Sequence, residues 1–351
     1  MLTKMNIKKE DLSYYGGNKV IKYKKPHWKW PPKYKEKNNS VLSYYKEEEY
    51  NKSGYPKIVE IFESNFKKYI GSKYALSLNS GTSALHAAFF AVGISNGDEV
   101  LVPSMTFHAT AGPIMQVDGV PVVCDCELDT GNIDPQDIET KITKKTKAIV
   151  ITHLCGHPCD MTKIIKIAKK YKLFLIEDCS HAHGSTFNKK KVGTFGHIGV
   201  FSLDNNKLLA AGEGGILVTN NKLLFEKALL ISDFGPRIFS QIKNSKLKKY
   251  IETGLGFKHR IHPASAAIAN CELKKINFYI KKRLKVLNSF SNKISNIPGI
   301  SPPVTRKNCT RGAFFGYRVF FDNKILNNIS VDYFVSLLQA EGMEIRKASN
   351  K

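Results

Sequence analysis

Long apolar stretches are missing from this 351-residue sequence, and so is any apolar signal region at its start. No run of about 18 or more apolar residues occurs, which argues against a membrane-spanning helix. The seven cysteines follow no regular spacing, so they predict no disulfide framework. These absences together predict a cytoplasmic protein with reduced thiols.

Acidic residues are also scarce. The chain has 30 Asp and Glu against 54 Lys and Arg, a formal net charge of +24. The lysines are dispersed along the whole chain, whereas nucleic-acid-binding proteins gather basic residues within a recognisable motif. A positive field of this kind attracts anions. We therefore expect small-molecule substrates, a phosphorylated one among them, and neither a nucleic acid nor a membrane as partner.

Apolar runs of strand length alternate with helical patterns over much of the chain. The predicted strands are 99–103, 120–125, 148–152 and 173–178, and the predicted helices are 56–70, 107–118, 134–141 and 160–171. Such alternation predicts an α/β fold with a mainly parallel sheet. Ligands of these sheets bind beyond the carboxyl ends of the strands.

The length and the 42% hydrophobic content are sufficient for two domains. We expect a flexible tail at 1–12, a large domain at 13–255 and a smaller α/β domain at 256–351. The Trp-Lys-Trp-Pro-Pro segment at 28–32 suggests an arm that lies on a surface, such as that of a second subunit.

One lysine, Lys207, lies on a short loop between two apolar runs, 198–201 and 216–218. Burial disfavours the charged form of such a lysine and makes its amine a better nucleophile. This suits a lysine that forms a Schiff base with a carbonyl cofactor. The alternative is a solvated loop lysine in a lysine-rich chain.

Three other stretches could complete a site for such a cofactor. In Asn79-Ser-Gly-Thr82 a strand meets a helix, and amides at a helix start attract phosphate, although an ordinary capped helix also fits. Asp178 ends an apolar strand, with His181 three residues later, and Phe107 directly follows another strand. A strand-end cap and a core aromatic are the alternatives. Pyridoxal phosphate needs a lysine, a carboxylate at its ring nitrogen, an anion cradle and a stacking ring.

Two further patterns resemble other kinds of site. His153-Leu-Cys-Gly-His-Pro-Cys159 offers zinc ligands at steps of two, unlike the paired arms of structural zinc sites, so we expect no metal. Gly193-Thr-Phe-Gly-His-Ile-Gly199 resembles a dinucleotide loop but lacks the surrounding strand–helix–strand unit with its later acidic residue.

Four segments together resemble the DegT/StrS family of sugar aminotransferases. They are 79–85, 105–110, 177–184 and 201–215, and the resemblance extends over about residues 25 to 345. It implies the fold-type I aspartate aminotransferase superfamily, with a mainly parallel seven-stranded sheet flanked by helices. It also implies pyridoxal 5'-phosphate as cofactor and a homodimer whose active sites take residues from both subunits.

Residue by residue, the resemblance implies three catalytic roles. Lys207 would bond the cofactor and carry the proton, Asp178 would hold the pyridine nitrogen, and His181 would cover the ring or contact its 3-oxygen. The other cofactor contacts that it implies are the phosphate cradle and a stacking aromatic, formed by Gly81, Thr82, Ser202 and Phe107.

Two features depart from the family pattern. Lys258 stands where many members place an asparagine that reaches the partner's phosphate, and a lysine could contact that phosphate as a point charge. The sequence ends at Lys351, before the usual family C-terminus, so we expect a short small domain.

The implied activity is transfer of an amino group from glutamate or glutamine to a keto-sugar. The acceptor would be a nucleotide-linked keto-deoxyhexose in amino-sugar and polysaccharide biosynthesis. The tryptophan–proline segment and the run 207–215 also resemble the branch that aminates cyclitol ketones of the scyllo-inosose type. Two alternatives remain: a non-catalytic relative, and a dehydratase of the same fold, against which Lys207 argues because such relatives have a histidine there.

Overall fold

The computed structural model describes residues 8–22, 55–312 and 314–348. The arm predicted at 28–32 lies outside them. The described chain divides into two compact units. The larger contains 55–287 and most of 304–317, and the smaller contains 8–22, 288–303 and 318–348. The domain boundary expected at 255/256 stays a prediction.

The larger unit is built on nine strands that precede its long final helix. In chain order they are β1 (Tyr74–Leu78), β2 (Glu99–Pro103), β3 (Val120–Cys124), β4 (Thr146–Thr152), β5 (Phe174–Asp178), β6 (Thr186–Phe187), β7 (Lys190–Lys191), β8 (Ile198–Ser202) and β9 (Gly215–Thr219). All but β6 and β7 form one seven-stranded sheet in the order β1-β9-β8-β5-β4-β2-β3. β9 is antiparallel to both neighbours, and the other pairs are parallel.

Ten α-helices occur in the described ranges. They are α1 (Lys57–Ile70), α2 (Gly81–Val92), α3 (Gly112–Met115), α4 (Pro135–Lys141), α5 (Met161–Lys170), α6 (Lys222–Ser232), α7 (Pro236–Gln241), α8 (Ser245–Lys248), α9 (Pro263–Ile294) and α10 (Val331–Ala340). Short 3-10 helices occur at Lys9–Asp11, Ser13–Tyr15, His108–Thr110 and Leu154–Gly156. None of the helices in these ranges has the combined length and apolarity that crossing a bilayer requires.

The central strands of the seven-stranded sheet are buried on both faces. Along β2, Val100 and Val102 enter a core with α2 and α6, whereas Leu101 enters a different core with α5. Successive strand residues point to opposite faces, so apolar residues in sequence supply both cores. The predicted fold class, a mainly parallel seven-stranded sheet flanked by helices, is confirmed.

The helix predicted at 107–118 is wrong as one continuous element. A 3-10 turn at His108–Thr110 precedes the separate helix α3. Pro113 lacks an amide hydrogen, and its ring would collide with a carbonyl of the preceding turn, so it begins a helix more readily than it continues one. The break leaves Thr110 fully buried, in contact with Asp178.

The smaller unit brings together two ends of the described chain. The Glu341 carboxylate accepts hydrogen bonds from the amides of Ser13 and Val20 at 2.7 and 3.1 Å. Strands β10 (Ile300–Ser301) and β12 (Phe320–Phe321) pair antiparallel beside α10. Between them in sequence, β11 (Cys309–Thr310) belongs to the larger unit, where it pairs with β6.

A buried ion pair joins α1 to α7. Both nitrogens of the Arg237 fork donate to the Glu63 carboxylate, at 3.1 and 2.8 Å, and both side chains are at most 5% exposed. The same carboxylate accepts from the amide and hydroxyl of Ser77 in β1 and from the Tyr55 hydroxyl. Glu63 thus connects three elements of the core.

We expect Arg237→Met to lower the free energy of unfolding by about 3–5 kcal/mol, because it leaves the Glu63 carboxylate buried without its cation. Urea denaturation monitored by circular dichroism measures this loss. Lys170→Met is the control, since it removes the exposed surface ion pair with Glu139 and should leave the free energy of unfolding nearly unchanged. Equal losses in the two variants would contradict the importance of the buried pair.

Candidate active site

The carboxyl ends of four strands lie at one edge of the sheet, because β1, β2, β5 and β8 run in the same direction. Gly81 follows β1, Phe107 follows β2, Asp178 ends β5 and Ser202 ends β8. Lys207 lies on the loop between β8 and β9. The topology therefore places these predicted residues at the edge where ligands of parallel sheets bind.

Asp178 is held in a fixed orientation at this edge. Its side chain is 5% exposed. One carboxylate oxygen accepts from the Thr110 hydroxyl at 2.8 Å, and the other accepts from the Ser180 amide at 3.0 Å. The Thr110 hydroxyl also bonds to that of Thr106 at 2.6 Å. A buried carboxylate with these partners can hold a cationic N–H donor.

Lys207 is half-buried on a loop stabilised by its own backbone, where its amide donates to the Asp204 carbonyl at 2.9 Å. Burial lowers the pKa of the Lys207 amine, and the charges of Asp178 and Asp204 offset this lowering only in part. More of the amine is therefore uncharged and nucleophilic at neutral pH than for a solvated lysine.

Two aromatic side chains that sequence reasoning did not identify lie beside Lys207. The Phe315 ring stacks on His181, with centroids 4.0 Å apart and planes at 18°, and the Lys207 Nζ lies 4.1 Å from the Phe315 centroid. His183 is 2% exposed, and burial together with the positive charge of Lys207 lowers its pKa to about 3. His183 could have been found from its place two residues after His181 in the sequence, whereas no local pattern points to Phe315.

The start of α2 has the features of an anion cradle. An α-helix leaves its first amides without intrahelical partners. Here the Ser80 hydroxyl accepts from the Ser83 amide at 3.0 Å and also bonds the Ser83 hydroxyl at 2.9 Å. Gly81 approaches the β8 loop so closely that a Cβ there would lie 2.9 Å from Ser202 Cβ. The helix start and Ser202 are thus brought together, and Thr82 is exposed beside them. This chemistry fits a phosphate group.

Two predicted residues lie farther out. Phe107 is 60% exposed, and its ring lies against that of His108, with the two ring centroids 3.9 Å apart. Lys258 is exposed on a segment that returns to the end of β1, where the Asn79 amide donates to the His259 carbonyl at 2.7 Å. The roles assigned to both residues stay predictions.

The run that resembles a zinc site is occupied by internal hydrogen bonds. His153 accepts from the Cys159 amide at 3.0 Å through one ring nitrogen, and its other nitrogen bonds the Glu177 carboxylate at 3.1 Å. The glycine run after β7 binds the same carboxylate. The Gly193 and Gly196 amides donate hydrogen bonds to Glu177 at 2.7 and 2.6 Å. Both runs therefore hold the side chain of Glu177, the residue that precedes Asp178 in β5.

A seven-stranded, mainly parallel sheet with a half-buried lysine and a buried aspartate at its carboxyl edge is the architecture of the fold-type I pyridoxal-phosphate-dependent transferases. A model of the DegT/DnrJ/EryC1/StrS aminotransferase family matches residues 33–348, and the chain belongs to this family. The predicted family membership is confirmed.

Individual relatives are similar over most of this chain. GDP-perosamine synthase of Escherichia coli O157:H7 is 38% identical over 239 residues, covering 68% of this chain and 64% of that protein. L-glutamine:scyllo-inosose aminotransferase of Streptomyces griseus is 31% identical over 282 residues, covering 80% and 66%. The matched part of this chain thus spans slightly less than two thirds of the length of either relative.

Solved structures show the same architecture. The E. coli GDP-4-keto-6-deoxy-D-mannose-3-dehydratase with bound hydrated PLP has a TM-score of 0.78 and 26% sequence identity. The comparison covers 89% of this chain and 82% of that one. That enzyme's name describes a dehydratase, so the fold alone does not decide between dehydration and amino transfer.

Proposed function

We propose that this protein is a cytoplasmic, pyridoxal-phosphate-dependent aminotransferase of amino-sugar or polysaccharide biosynthesis. The donor is glutamate or glutamine, and the acceptor is a nucleotide-linked keto-deoxyhexose. The observation that carries the proposal is the pair formed by Lys207, whose half-buried amine has a lowered pKa, and Asp178, a buried carboxylate held by Thr110. Both lie at the same edge of the sheet in a member of this aminotransferase family.

Pyridoxal phosphate, when bound, supplies an electron sink and carries the amino group between donor and acceptor. Asp178 would accept a hydrogen bond from the ring N–H and would keep that nitrogen protonated. The amides at the start of α2, together with Ser202, hold the phosphate. The Lys207 Nζ would anchor the cofactor, and the same amine would take up and return the proton that amino transfer moves.

The charge of the chain supports an anionic acceptor. A net charge of +24 attracts a nucleoside diphosphate more strongly than it attracts an uncharged cyclitol. Similarity to GDP-perosamine synthase points in the same direction. Amination of a cyclitol ketone is the second candidate, because the inosose aminotransferase matches a larger share of this chain. The lysine at position 207 argues against dehydration.

The test of the function combines cofactor binding with a substrate panel. The purified full chain is incubated with pyridoxal phosphate, glutamate or glutamine, and either nucleotide-linked keto-deoxyhexoses or scyllo-inosose. Mass spectrometry then detects a product in which an amine replaces the ketone oxygen. An aminated sugar supports the proposal, and amination of the inosose alone supports the second candidate. Cofactor binding without any product would indicate a non-catalytic relative.

We also propose that the protein is a homodimer in which Lys258 reaches the phosphate at the partner's site. Its two neighbours in sequence, Phe257 and His259, pack against His86 with ring centroids 5.4 and 5.6 Å away. Lys258 between them is exposed, which supports a contact with a second subunit.

Lys258→Ala should weaken pyridoxal phosphate binding, because a cation near a phosphate dianion stabilises it. The loss should shrink as salt rises, since salt screens exposed charges. Absorbance titration measures the affinity at several salt concentrations, and sedimentation measures the subunit number. Lys246→Ala, which removes another exposed lysine, is the control. Unchanged affinity in the Lys258 variant, or a monomer that binds normally, would refute the shared site.

A further inference from the structure

The Phe315 ring contacts two residues of the proposed site at once. One contact is the parallel stacking on His181 at 4.0 Å, and the other is the approach of the Lys207 Nζ to 4.1 Å from the ring centroid. Neither the catalytic proposal nor the family resemblance assigns a role to this ring.

The segment that carries Phe315 is anchored to the loops of the site. The Arg311 side chain is 4% exposed and donates to the Cys155 carbonyl at 2.9 Å. The Gly312 amide donates to the Ser185 hydroxyl at 2.9 Å. A Cβ at Gly312 would collide with the His183 carbonyl, so glycine permits this close approach. The position of Phe315 is therefore set by contacts with the loops that follow β4 and β5.

The groups around Lys207 act on its amine in opposing directions. Burial disfavours the ammonium form, and the carboxylates of Asp178 and Asp204 favour it. The imidazoles of His181 and His183 have no negative charge that would attract the ammonium, and a positive charge on either would repel it. The face of an aromatic ring attracts a cation, more strongly when water is excluded. Phe315 thus adds a contact that favours the ammonium form.

We infer that Phe315 is a positioning residue of this site, whose ring holds the Lys207 amine over its face and fixes the His181 imidazole by stacking. The inference builds on the proposed function, in which Lys207 carries the proton. The Phe315 ring thereby sets the pH range in which the Lys207 amine is uncharged and can accept the proton.

The test measures the titration of Lys207 directly in the cofactor-free full chain. Competitive acetylation with limiting acetic anhydride is followed by peptide mass spectrometry from about pH 6 to about pH 11, which brackets an ordinary or lowered lysine pKa. Phe315→Met, which keeps a similar volume without the ring, should move the midpoint for Lys207 down by about half a unit to one unit. Phe315→Tyr should restore the original midpoint.

Phe314→Met is the matched control in the same segment. The Phe314 ring packs on Tyr317 and lies under the Arg311 guanidinium. If this control leaves the Lys207 midpoint unchanged while Phe315→Met lowers it, the inference stands. An unchanged or raised midpoint in Phe315→Met, or an equal shift in both variants, overturns it. Circular dichroism confirms that each variant is folded.

The inference and the proposed function can fail separately. Acetylation of Lys207 requires no cofactor, so its midpoint decides the role of Phe315 even if pyridoxal phosphate never attaches. If pyridoxal phosphate attaches to Lys207 but Phe315→Met leaves the midpoint in place, the positioning role fails and the proposed function survives.

Discussion

Replacing Lys207 by alanine is expected to abolish amino transfer, with a loss of at least about 10²–10⁴-fold, the range for removal of a general acid–base group. The loss should exceed that range, because the same amine also anchors the cofactor. The α2 cradle and Asp178 remain in the variant, so it should still bind pyridoxal phosphate without a covalent bond. Turnover assays and borohydride reduction followed by peptide mapping measure the two effects.

The control for this prediction is Lys207→Arg, which keeps a cation near Asp178 but supplies neither a nucleophilic amine nor a ready proton acceptor. It should be as inactive as the alanine variant. In the parent protein, borohydride should fix the cofactor to the peptide that contains Lys207. A reduced adduct on a different lysine, or turnover that survives in both variants, would disprove the assignment.

Replacing Asp178 by asparagine is expected to lower turnover by about two orders of magnitude while the fold survives. The substitution removes a charge-assisted hydrogen bond of about 1.5–3 kcal/mol to the protonated ring nitrogen, and 1.4 kcal/mol corresponds to tenfold in rate. The asparagine oxygen can still accept from the Ser180 amide, as Asp178 does at 3.0 Å. Turnover assays and thermal unfolding measure activity and fold.

Thr110→Val is the graded control for Asp178. It removes the hydroxyl that donates to the carboxylate at 2.8 Å but keeps the negative charge. We expect a loss of about tenfold or less, since one oriented hydrogen bond is missing. Near-normal activity in Asp178→Asn, or a larger loss in Thr110→Val than in Asp178→Asn, would show that Asp178 only caps the end of β5.

Much of the fold could be predicted from the sequence, because apolar periodicity records which faces are buried. The strand predicted at 99–103 has those bounds in the structure, and the strand predicted at 173–178 begins one residue later. The continuous helix expected at 107–118 fails because Pro113 lies in the first turn of a new helix, and that local effect overrode the apolar pattern. The consequence matters for the site, since the break positions Thr110 against Asp178.

Some residues of the candidate site could be predicted from the sequence, and others could not. Asp178 ends a strand and Lys207 lies on the loop after another strand, so their place at the carboxyl edge follows from a parallel topology. The stacking role of Phe107 stays a prediction, since its ring is 60% exposed. Phe315 gave no local signal, because its contacts with His181 and Lys207 join segments far apart in the chain.

The sequence by itself determined the alternation of strands and helices, the lysine between two buried strands and the aspartate at a strand end. All three follow from local burial patterns, which each segment carries within its own residues. Only the tertiary structure decided that Thr110 holds Asp178, that Gly81 touches the Ser202 loop and that Phe315 contacts Lys207. Those contacts depend on how segments that are far apart in the chain pack together. Such packing produces no apolar periodicity in either segment.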